Sequence, residues 1–487
     1  MRTLAAGSIG VAAGIFVFAI AAGLIGSPLL AIPIGVIVAG LIAWTIGTRP
    51  IVPLDGAACT RGLKIVAGLA TIVALVQIAR LTVFMVNPAR PEYSVVPSSD
   101  WEVRHSCLSA YFVAARAAGR VPDVYADSLY TRRDDDPTKI RKPLMIGPFK
   151  IDVYEYPPPF LLLPRALRLV FPAFVRFRMM WFGLNSAAVL IALLVLARAL
   201  GPIAGTRALL LSPLVWAALP TLSMLQKGNA QALMIAISIV AMALFEWRRW
   251  AGGGALLAYA AMSKLFPGLL LVYLLVRRQW RAVLWTAALC VVLAALAWMD
   301  TGAPSYTAFL RHLPGLLGGE AFPAFRNPMA MAINFSVPGL VFKLGLFGVP
   351  GMSFFASKLL GWIYTLIVIV VIVAVARRTV PEDRRPLVWL AILILATLRS
   401  PFLPQAYAAF PALVLLVLMG GMSVASPKNL AAIILTWLAL NVFWPLDWPM
   451  DPRLLAVLSG IPQAVTIVLA IVALRWSSRG PATTATA

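Results

Sequence analysis

Charged side chains are scarce in this sequence. They account for 12% of its 487 residues, whereas 61% are hydrophobic, and an ordinary soluble domain carries roughly 25% charged residues. The composition therefore excludes a soluble globular protein. Apolar runs of about 20 residues, enough for one helix to cross the hydrocarbon core, recur along the chain, and barrel-type alternation is absent. Because helices then have to satisfy the backbone in lipid, we predict an all-α polytopic membrane protein.

Cysteine and histidine are rare as well. The three cysteines, Cys59, Cys107 and Cys290, lie far apart, and their spacing predicts neither a structural disulfide nor a metal site. The two histidines are His105 and His312. The sequence contains no nucleophile elbow and no Walker-type glycine loop. We therefore predict no cofactor and no metal.

Acidic residues number 18 against 41 basic ones, which gives a net charge of +23. No soluble module of aromatic and basic residues is present, so nucleic acid is not predicted as a partner. Most basic residues instead lie in short loops between apolar runs, as the positive-inside rule expects of cytoplasmic loops. These loops cover residues 49–64, 198–207, 248–249, 277–281, 377–385, 428 and 475–479.

The apolar runs predict about 12 spanning helices. We expect a two-helix N-terminal addition over residues 1–62, interpreted as a signal anchor, one membrane domain over 63–475, and a disordered cytoplasmic tail over 476–487. With the basic loops inside, the loops 87–177 and 300–352 lie outside the cell. The predicted spans are 8–26, 29–46, 63–86, 178–199, 206–221, 229–246, 281–299, 353–376, 386–400, 405–424, 429–446 and 454–475.

Residues 251–276 are about one span long, yet basic residues flank them at both ends. A single crossing would place one of these basic clusters outside and invert everything downstream. Two short helices that enter and return, meeting near Lys264 and Pro267, preserve the topology, since proline cannot continue a regular helix. The alternative is one kinked span in which Lys264 reaches the interface. We predict the hairpin.

A polar island between residues 87 and 160 holds ten of the eighteen acidic residues. Asp100 is a candidate general base at the membrane surface, or else the N-cap of a helix starting near Trp101. Three consecutive aspartates, 134–136, resemble a magnesium-binding triad, but their basic neighbours favour a solvated charged loop. Residues 160–177 are predicted to form an amphipathic helix on the outer surface.

Several polar side chains are candidates for binding a substrate. The prolines after Tyr156 stiffen the chain and place Tyr154, Glu155 and Tyr156 at the bilayer edge. Asn229 and Gln231 precede another span. These five residues are predicted to bind the substrate.

Three cations are predicted on the outer face, at one depth in the membrane. Lys227, Lys264 and Arg399 lie on the side where the positive-inside rule disfavours basic residues, so we interpret them as a site for a lipid phosphate. The alternative is that they bind ordinary anionic headgroups. His312, in the second outer loop, is a candidate base or a donor to an acceptor hydroxyl.

Four motifs, in this order, resemble the GT-C superfamily of membrane glycosyltransferases and, within it, glycosyltransferase family 87, which includes polyprenol-phosphate-mannose-dependent α-mannosyltransferases. The resemblance covers most of the chain from about residue 63. The motifs are Asp100 to Tyr125 with its Ala-x-Arg-x-Ala-x-Gly helix, Tyr-x-Tyr-Pro-Pro at 154–158, Gly-Asn-Ala-Gln at 228–231, and Ala-x-x-Ser-Lys-x-x-Pro with following basic residues at 261–278.

The resemblance implies a GT-C fold and a metal-independent, inverting transfer from a polyprenyl-phosphate sugar, with mannose expected, to a lipid-linked or glycan acceptor. It implies that the reaction takes place on the extracytoplasmic face of the cell membrane, among membrane lipids. Asp100 is then the expected base, Lys264 and Arg399 stabilise the leaving phosphate, and His312 acts on the acceptor side.

Two departures from the family pattern leave the donor open. Where the family often has Gly-Gln-x-Asn, residues 228–231 read Gly-Asn-Ala-Gln, so the two amides are exchanged. Where the family has Ser-Pro-x-Ser-Trp-x-His, residues 400–405 lack the tryptophan and the histidine. An arabinofuranosyl or other pentosyl donor is therefore an alternative. A lipid or solute transporter is another, although such proteins place polar groups near the bilayer midplane within repeated halves, whereas this chain clusters them at one face. A third alternative is a non-catalytic scaffold in an envelope-assembly complex.

Overall fold

The computed structural model describes residues 2–48, 59–130, 143–424 and 426–478, and these fold almost entirely as α-helices. The aspartates 134–136 and the end of the predicted tail, 479–487, lie outside the described residues. The first ten helices are α1 (Arg2–Ile25), α2 (Pro28–Thr48), α3 (Arg61–Val86), α4 (Asp100–Arg104), α5 (Cys107–Ala117), α6 (Leu162–Val170), α7 (Phe174–Ala199), α8 (Gly201–Leu211), α9 (Pro213–Ala217) and α10 (Leu219–Lys227).

The remaining elements complete the helical bundle and add one very small sheet. The helices are α11 (Gln231–Glu246), α12 (Trp250–Ser263), α13 (Leu269–Val276), α14 (Trp280–Gly318), α15 (Pro328–Ala332), α16 (Leu340–Leu346), α17 (Phe354–Ala376), α18 (Arg385–Thr397), α19 (Gln405–Ser423), α20 (Pro427–Asn441) and α21 (Pro452–Ser477). The strands are β1 (His105–Ser106), β2 (Met145–Ile146) and β3 (Phe149–Ile151).

The predicted class, an all-α polytopic membrane protein, is confirmed. Within the described residues, seven helices are long and apolar enough to cross a membrane, or eight if a bent pair forms one span. By helix length, the described residues therefore contain fewer spanning helices than the 12 that we predicted. The segment 206–221 is not one straight helix, because the chain bends by 63° between residues 217 and 219. The helices at 229–246, 386–400 and 429–446 have only 16, 13 and 15 residues.

The centre of the bundle is formed by α18 and α19. Every residue of α18 from Pro386 to Thr397 is buried, and so is α19 from Gln405 to Gly421. The faces of α2 and α17 remain largely exposed, as expected of helices that face lipid. The N-terminal α1 packs on the bundle, where Phe16 contacts the rings of Phe182 and Trp216.

The chain reverses direction between α12 and α13, as the hairpin interpretation predicts. Lys264 lies at the turn, where its ammonium contacts the side chain of Gln231 at the start of α11. At the opposite end of the bundle, Arg277 follows α13 and donates to the carbonyl of Arg378 after α17. Glu246, next to the basic pair 248–249, contacts Arg385 at that same end. The basic residues that flank 251–276 therefore lie at one end of the bundle, and Lys264 lies at the other.

The long helix α14 is broken at Gly302, whose backbone has φ 77° and ψ 168°. A positive φ with an extended ψ is open to glycine and strained for other residues. The break separates the apolar first part of α14 from a second part that belongs to the predicted outer loop. This second part carries Phe309, Leu313 and Leu316 to the wall of a large cavity.

The three strands form a sheet of order β1-β3-β2, which we call the clasp. β1 pairs with β3 in parallel, with His105 opposite Lys150, and β2 pairs with β3 in antiparallel fashion. Because alternate residues of a strand share one face, Asp152 follows Lys150 on the face next to His105. The clasp thus joins two segments of the polar island that are distant in sequence.

Candidate active site

A cavity of about 970 Å³ opens at the end of the bundle where Lys264 lies. Its walls come from the α4–β1 region, the segment after β3, the α10–α11 turn, the α12–α13 turn and the α18–α19 turn. Phe309, Leu313, Leu316, Phe322 and Trp362 form an apolar part of the wall. The cavity therefore offers polar groups on one part of its surface and a hydrophobic part beside them, as ligand sites usually do.

Lys264 and Arg399 both line the cavity. The Lys264 ammonium lies 3.0 Å from the Gln231 side-chain oxygen and 3.3 Å from that of Asn229. The Arg399 guanidinium donates to the hydroxyl of Thr365 at 3.1 Å and lies over the ring of Trp362. Neither has a carboxylate within 4.0 Å among the described residues. Both positive charges are therefore available to an anion.

Lys227 also lines the cavity but is already paired. Its ammonium lies 2.6 Å from the carboxylate of Glu102, and both side chains are buried. Ser223 donates to the other Glu102 oxygen at 2.9 Å, and Gln226 donates to the Glu102 backbone carbonyl at 2.7 Å. Lys227 therefore lines the same cavity as the other two cations, but its charge is balanced.

Asp100 is located at the rim, not in the interior, of the cavity. Its carboxylate lies 2.7 Å from Arg104 and 3.8 Å from Lys150, and its side chain is 57% exposed. The hydroxyl of Ser99 accepts the backbone N–H of Glu102. Ser99 is therefore the N-cap of α4, and Asp100 is the first residue of the helix.

Glu155 lines the cavity and differs from the other three carboxylates there, which belong to Asp100, Glu102 and Asp152. Each of these three has a cationic or histidine partner within 4.0 Å, whereas Glu155 has none among the described residues. Burial raises the pKa of Glu155 well above its usual value, and the charge of Asp152 raises it further, while Lys264 lowers it. A carboxylate of this kind accepts a proton more readily than an exposed one.

Asn229 connects the predicted polar residues into one network. Its side-chain oxygen accepts from the backbone of Gln231 at 2.9 Å and from Lys264, so its amide nitrogen points toward the Tyr156 hydroxyl at 3.4 Å. The Tyr156 hydroxyl in turn accepts from Tyr111 at 2.7 Å. Gly228, with φ 69°, ends α10 and directs Asn229 into the cavity.

Two predicted residues do not reach the cavity wall. His312 stacks on the ring of Tyr125 at 5.0 Å and is not among the lining residues. Tyr154 is fully buried between Tyr125, Tyr156 and Phe160. Within the described part of the chain, both belong to the aromatic packing behind the wall.

Sequence reasoning missed a cluster formed by His105, Cys107 and Asp152. Their donor atoms all lie within 4.8 Å of one another, and all three residues line the cavity. Burial lowers the pKa of His105 to about 3 and raises that of Asp152 to about 6. Burial also raises the pKa of Cys107 to about 12. The signal in the sequence is weak, because more than 40 residues separate His105-x-Cys107 from Asp152.

Comparison with known proteins identifies the family. The model of glycosyltransferase family 87 matches residues 154–401, which is just over half of the chain. The chain belongs to glycosyltransferase family 87. No curated protein and no solved structure matches it.

Membership of family 87 gives this cavity an enzymatic context. The matched region begins at the Tyr-x-Tyr-Pro-Pro segment and ends just after Arg399. It therefore contains Glu155, Asn229, Gln231, Lys264 and Arg399, all of which line the cavity. The family 87 glycosyltransferase thus has its free carboxylate and its two available cations within one cavity and within the region that defines the family.

Proposed function

We propose that this enzyme transfers a sugar, with mannose as the first candidate, from a polyprenyl-phosphate donor to a lipid-linked or glycan acceptor. We place the reaction at the extracytoplasmic face of the cell membrane. The observation that carries the proposal is the cavity itself, in which Lys264 and Arg399 stand beside an apolar wall and near an unpaired carboxylate. A phosphate ester of a long-chain alcohol combines the two features that these groups recognise.

The donor phosphate is assigned to Lys264 and Arg399. Neither has a carboxylate within 4.0 Å among the described residues, and cations placed at a leaving phosphate stabilise the charge that develops on it. Lys227, proposed from sequence as a third phosphate ligand, is instead assigned to hold Glu102. The polyprenyl chain lies along Leu313 and Trp362.

The general base is assigned to a carboxylate of the cavity, and the contacts favour Glu155 over Asp100. Asp100, the candidate from sequence and resemblance, is exposed, and its carboxylate is occupied by ion pairs with Arg104 and Lys150. Glu155 has no ion pair within 4.0 Å and a raised pKa. It is therefore better suited than Asp100 to accept a proton from the acceptor.

In the proposed reaction the acceptor hydroxyl gives its proton to Glu155. Its oxygen forms a bond to the anomeric carbon while the bond from that carbon to the phosphate oxygen breaks. The electron pair of the broken bond stays on the lipid phosphate, next to Lys264 and Arg399. One displacement of this kind inverts the anomeric configuration.

The test uses membranes containing the full-length enzyme, with labelled polyprenyl-phosphate mannose and, in parallel, the arabinose analogue. We expect mannose transfer by the wild-type enzyme and loss of at least about 100-fold in Glu155→Gln, the usual scale for an acid–base group. Asp100→Asn, the matched rim carboxylate, should retain most of the rate.

Three results would change the proposal. A loss in Asp100→Asn together with a normal rate in Glu155→Gln would return the role of base to Asp100. Transfer from the arabinose donor alone would identify a pentosyltransferase. Absence of transfer from either donor, combined with movement of an unmodified lipid or solute across the membrane, would support a transporter.

A further inference from the structure

The side chains of His105, Cys107 and Asp152 converge on one point at the cavity wall. The Cys107 sulfur and the Asp152 Oδ2 each lie 3.7 Å from the same ring nitrogen, Nε2 of His105. A proton relay would need the two partners on opposite ring nitrogens, as in a nucleophile–histidine–carboxylate triad. This arrangement therefore does not suit nucleophilic catalysis, and it has the form of a ligand set.

The distances fit a small metal ion. Zinc lies about 2.3 Å from a thiolate sulfur and about 2.0–2.2 Å from an imidazole nitrogen or a carboxylate oxygen. Ligand atoms on a tetrahedral zinc are therefore roughly 3–4 Å from one another. The separations of 3.7 Å around His105 are of this size, so an ion needs little rearrangement to enter.

Neighbouring groups hold each candidate ligand in place. The Asp152 Oδ1 accepts the backbone N–H of Val153 at 2.9 Å, which leaves Oδ2 for an ion. The His105 ring stacks on Trp101 at 4.3 Å. The parallel register of the clasp fixes the distance between the strand with His105 and the strand that leads to Asp152.

The Cys107 sulfur is surrounded by groups that stabilise a thiolate. The amide nitrogen of Asn229 donates to it at 3.5 Å, and the Tyr407 hydroxyl lies at 3.3 Å. The Asn229 nitrogen is directed there because its oxygen accepts from Gln231 and Lys264. Such hydrogen bonds from outside the ligand set are typical of protein metal sites.

The lysines near this cluster repel a bound cation less strongly than the sequence suggests. Lys227 and Lys150 both act electrostatically on His105. However, Lys227 is 2.6 Å from Glu102, and Lys150 is 3.8 Å from Asp100. Glu102 therefore balances the Lys227 ammonium, and Asp100, which Lys150 shares with Arg104, partly offsets the other.

We propose that His105, Cys107 and Asp152 bind one thiophilic divalent cation of the zinc type in the wall of the cavity. A thiolate with an imidazole and a carboxylate selects zinc-like ions over magnesium or calcium, which prefer oxygen ligands. Binding forms three metal–ligand bonds and releases the thiol proton to solvent. The fourth position faces the cavity and takes an oxygen from water or substrate. Such a site departs from the metal-independent transfer that the family resemblance implies.

The experiment uses purified full-length enzyme, stripped with a chelator and titrated with cobalt(II), whose thiolate complexes absorb by charge transfer. Bound zinc in the untreated enzyme is measured separately by elemental analysis. We expect one equivalent of metal per chain and a charge-transfer band in the wild-type enzyme and in Cys290→Ser, the matched cysteine control. Cys107→Ser should lose the band, and Asp152→Asn should lower the cobalt affinity at least about tenfold.

Absence of the band in the wild-type enzyme, or its persistence in Cys107→Ser, would overturn the site. Thermal unfolding and gel filtration of each variant show whether it is folded, and Asp152→Asn supplies the test if Cys107→Ser is not. Because binding is measured without a sugar donor, the result is independent of the proposed transfer. Glu155→Gln, outside the ligand set, should bind cobalt like the wild-type enzyme even if it transfers no sugar.

Discussion

The chemical role proposed for Glu155 has a cost in stability. Burial without a cationic partner within 4.0 Å raises its pKa, so its ionised form destabilises the folded state. A carboxylate whose folded pKa is raised contributes stability below its unfolded pKa. This contribution is lost as the pH rises through the folded value.

We therefore predict that Glu155→Gln, although inactive, is more stable than the wild-type enzyme at pH 8. The glutamine keeps the shape of the side chain and removes the buried charge. The gain in Tm should be of the order of 2–4 °C and should shrink as the pH falls, because a group with a raised folded pKa costs less stability at lower pH. Thermal unfolding in detergent at several pH values measures this.

Asp100→Asn is the control for this prediction. Its carboxylate is exposed and paired with Arg104, so removing its charge should give no gain in Tm that grows with pH. An equal gain in both variants would show that general acidic charge, and not burial at position 155, causes the effect.

At the scale of elements, the α18–α19 turn depends on Asn334. The fully buried Asn334 side chain donates to the carbonyl of Pro401 and accepts from the backbone N–H groups of Leu403 and Ser336. It thereby fixes the segment that carries Arg399. The predicted outer loop 300–352 thus supports the cavity wall through Asn334, which binds the lining residues Pro401 and Leu403 without lining the cavity itself.

We predict that Asn334→Ala raises the KM for the polyprenyl-phosphate donor several-fold and lowers the Tm. The variant leaves buried backbone groups without partners, at about 1–3 kcal/mol each, and frees Arg399 from its position. Steady-state kinetics with varied donor, together with thermal unfolding, measure both effects.

Asn441→Ala is the matched variant. The Asn441 side chain accepts the backbone N–H of Leu219 at 2.7 Å and lies outside the cavity lining. Asn441→Ala should lower the Tm without changing the KM for the donor. An unchanged donor KM in Asn334→Ala would mean that the α18–α19 turn keeps its shape without the hydrogen bonds of the Asn334 side chain.

Sequence patterns predicted the long elements well and the short ones poorly. The run 63–86 corresponds to α3, because an apolar stretch of that length is itself the signal. The hairpin around Lys264 followed from basic residues at both ends. The clasp could not be predicted, since strands of two or three residues have no measurable periodicity.

Only some residues of the candidate site could be predicted, because local sequence patterns carry only part of the information. Lys264 and Arg399 were recognised because a cation on the outer side contradicts the topology rule. The ion pair between Lys227 and Glu102 depends on packing between distant segments. The proximity of Cys107 and Asp152 depends on the register of the strands. No local pattern contains that information.

At the scale of the whole molecule, the proposed sidedness has a direct test. We predict that a membrane-impermeant maleimide labels Glu92→Cys in intact cells and labels Arg248→Cys only after permeabilisation. Both positions are exposed, and they belong to opposite ends of the predicted topology. The background carries Cys59→Ser and Cys290→Ser, while the native Cys107 is buried.

The reverse labelling pattern would place the cavity in the cytoplasm and would exclude a reaction on the outer face. Labelling of both positions in intact cells would indicate leaky cells, which a cytosolic marker protein detects. The background variant without an added cysteine shows how much label the buried Cys107 takes up.

The clasp also has a consequence for how this enzyme can vary. Because β1 and β3 pair side by side, the ends of the stretch from residue 107 to 149 are held together whatever its length. Loop closure becomes only about 0.6 kcal/mol more costly for each doubling of a flexible loop. We therefore expect insertions between these strands, beyond the end of α5, to leave the geometry of the cavity unchanged.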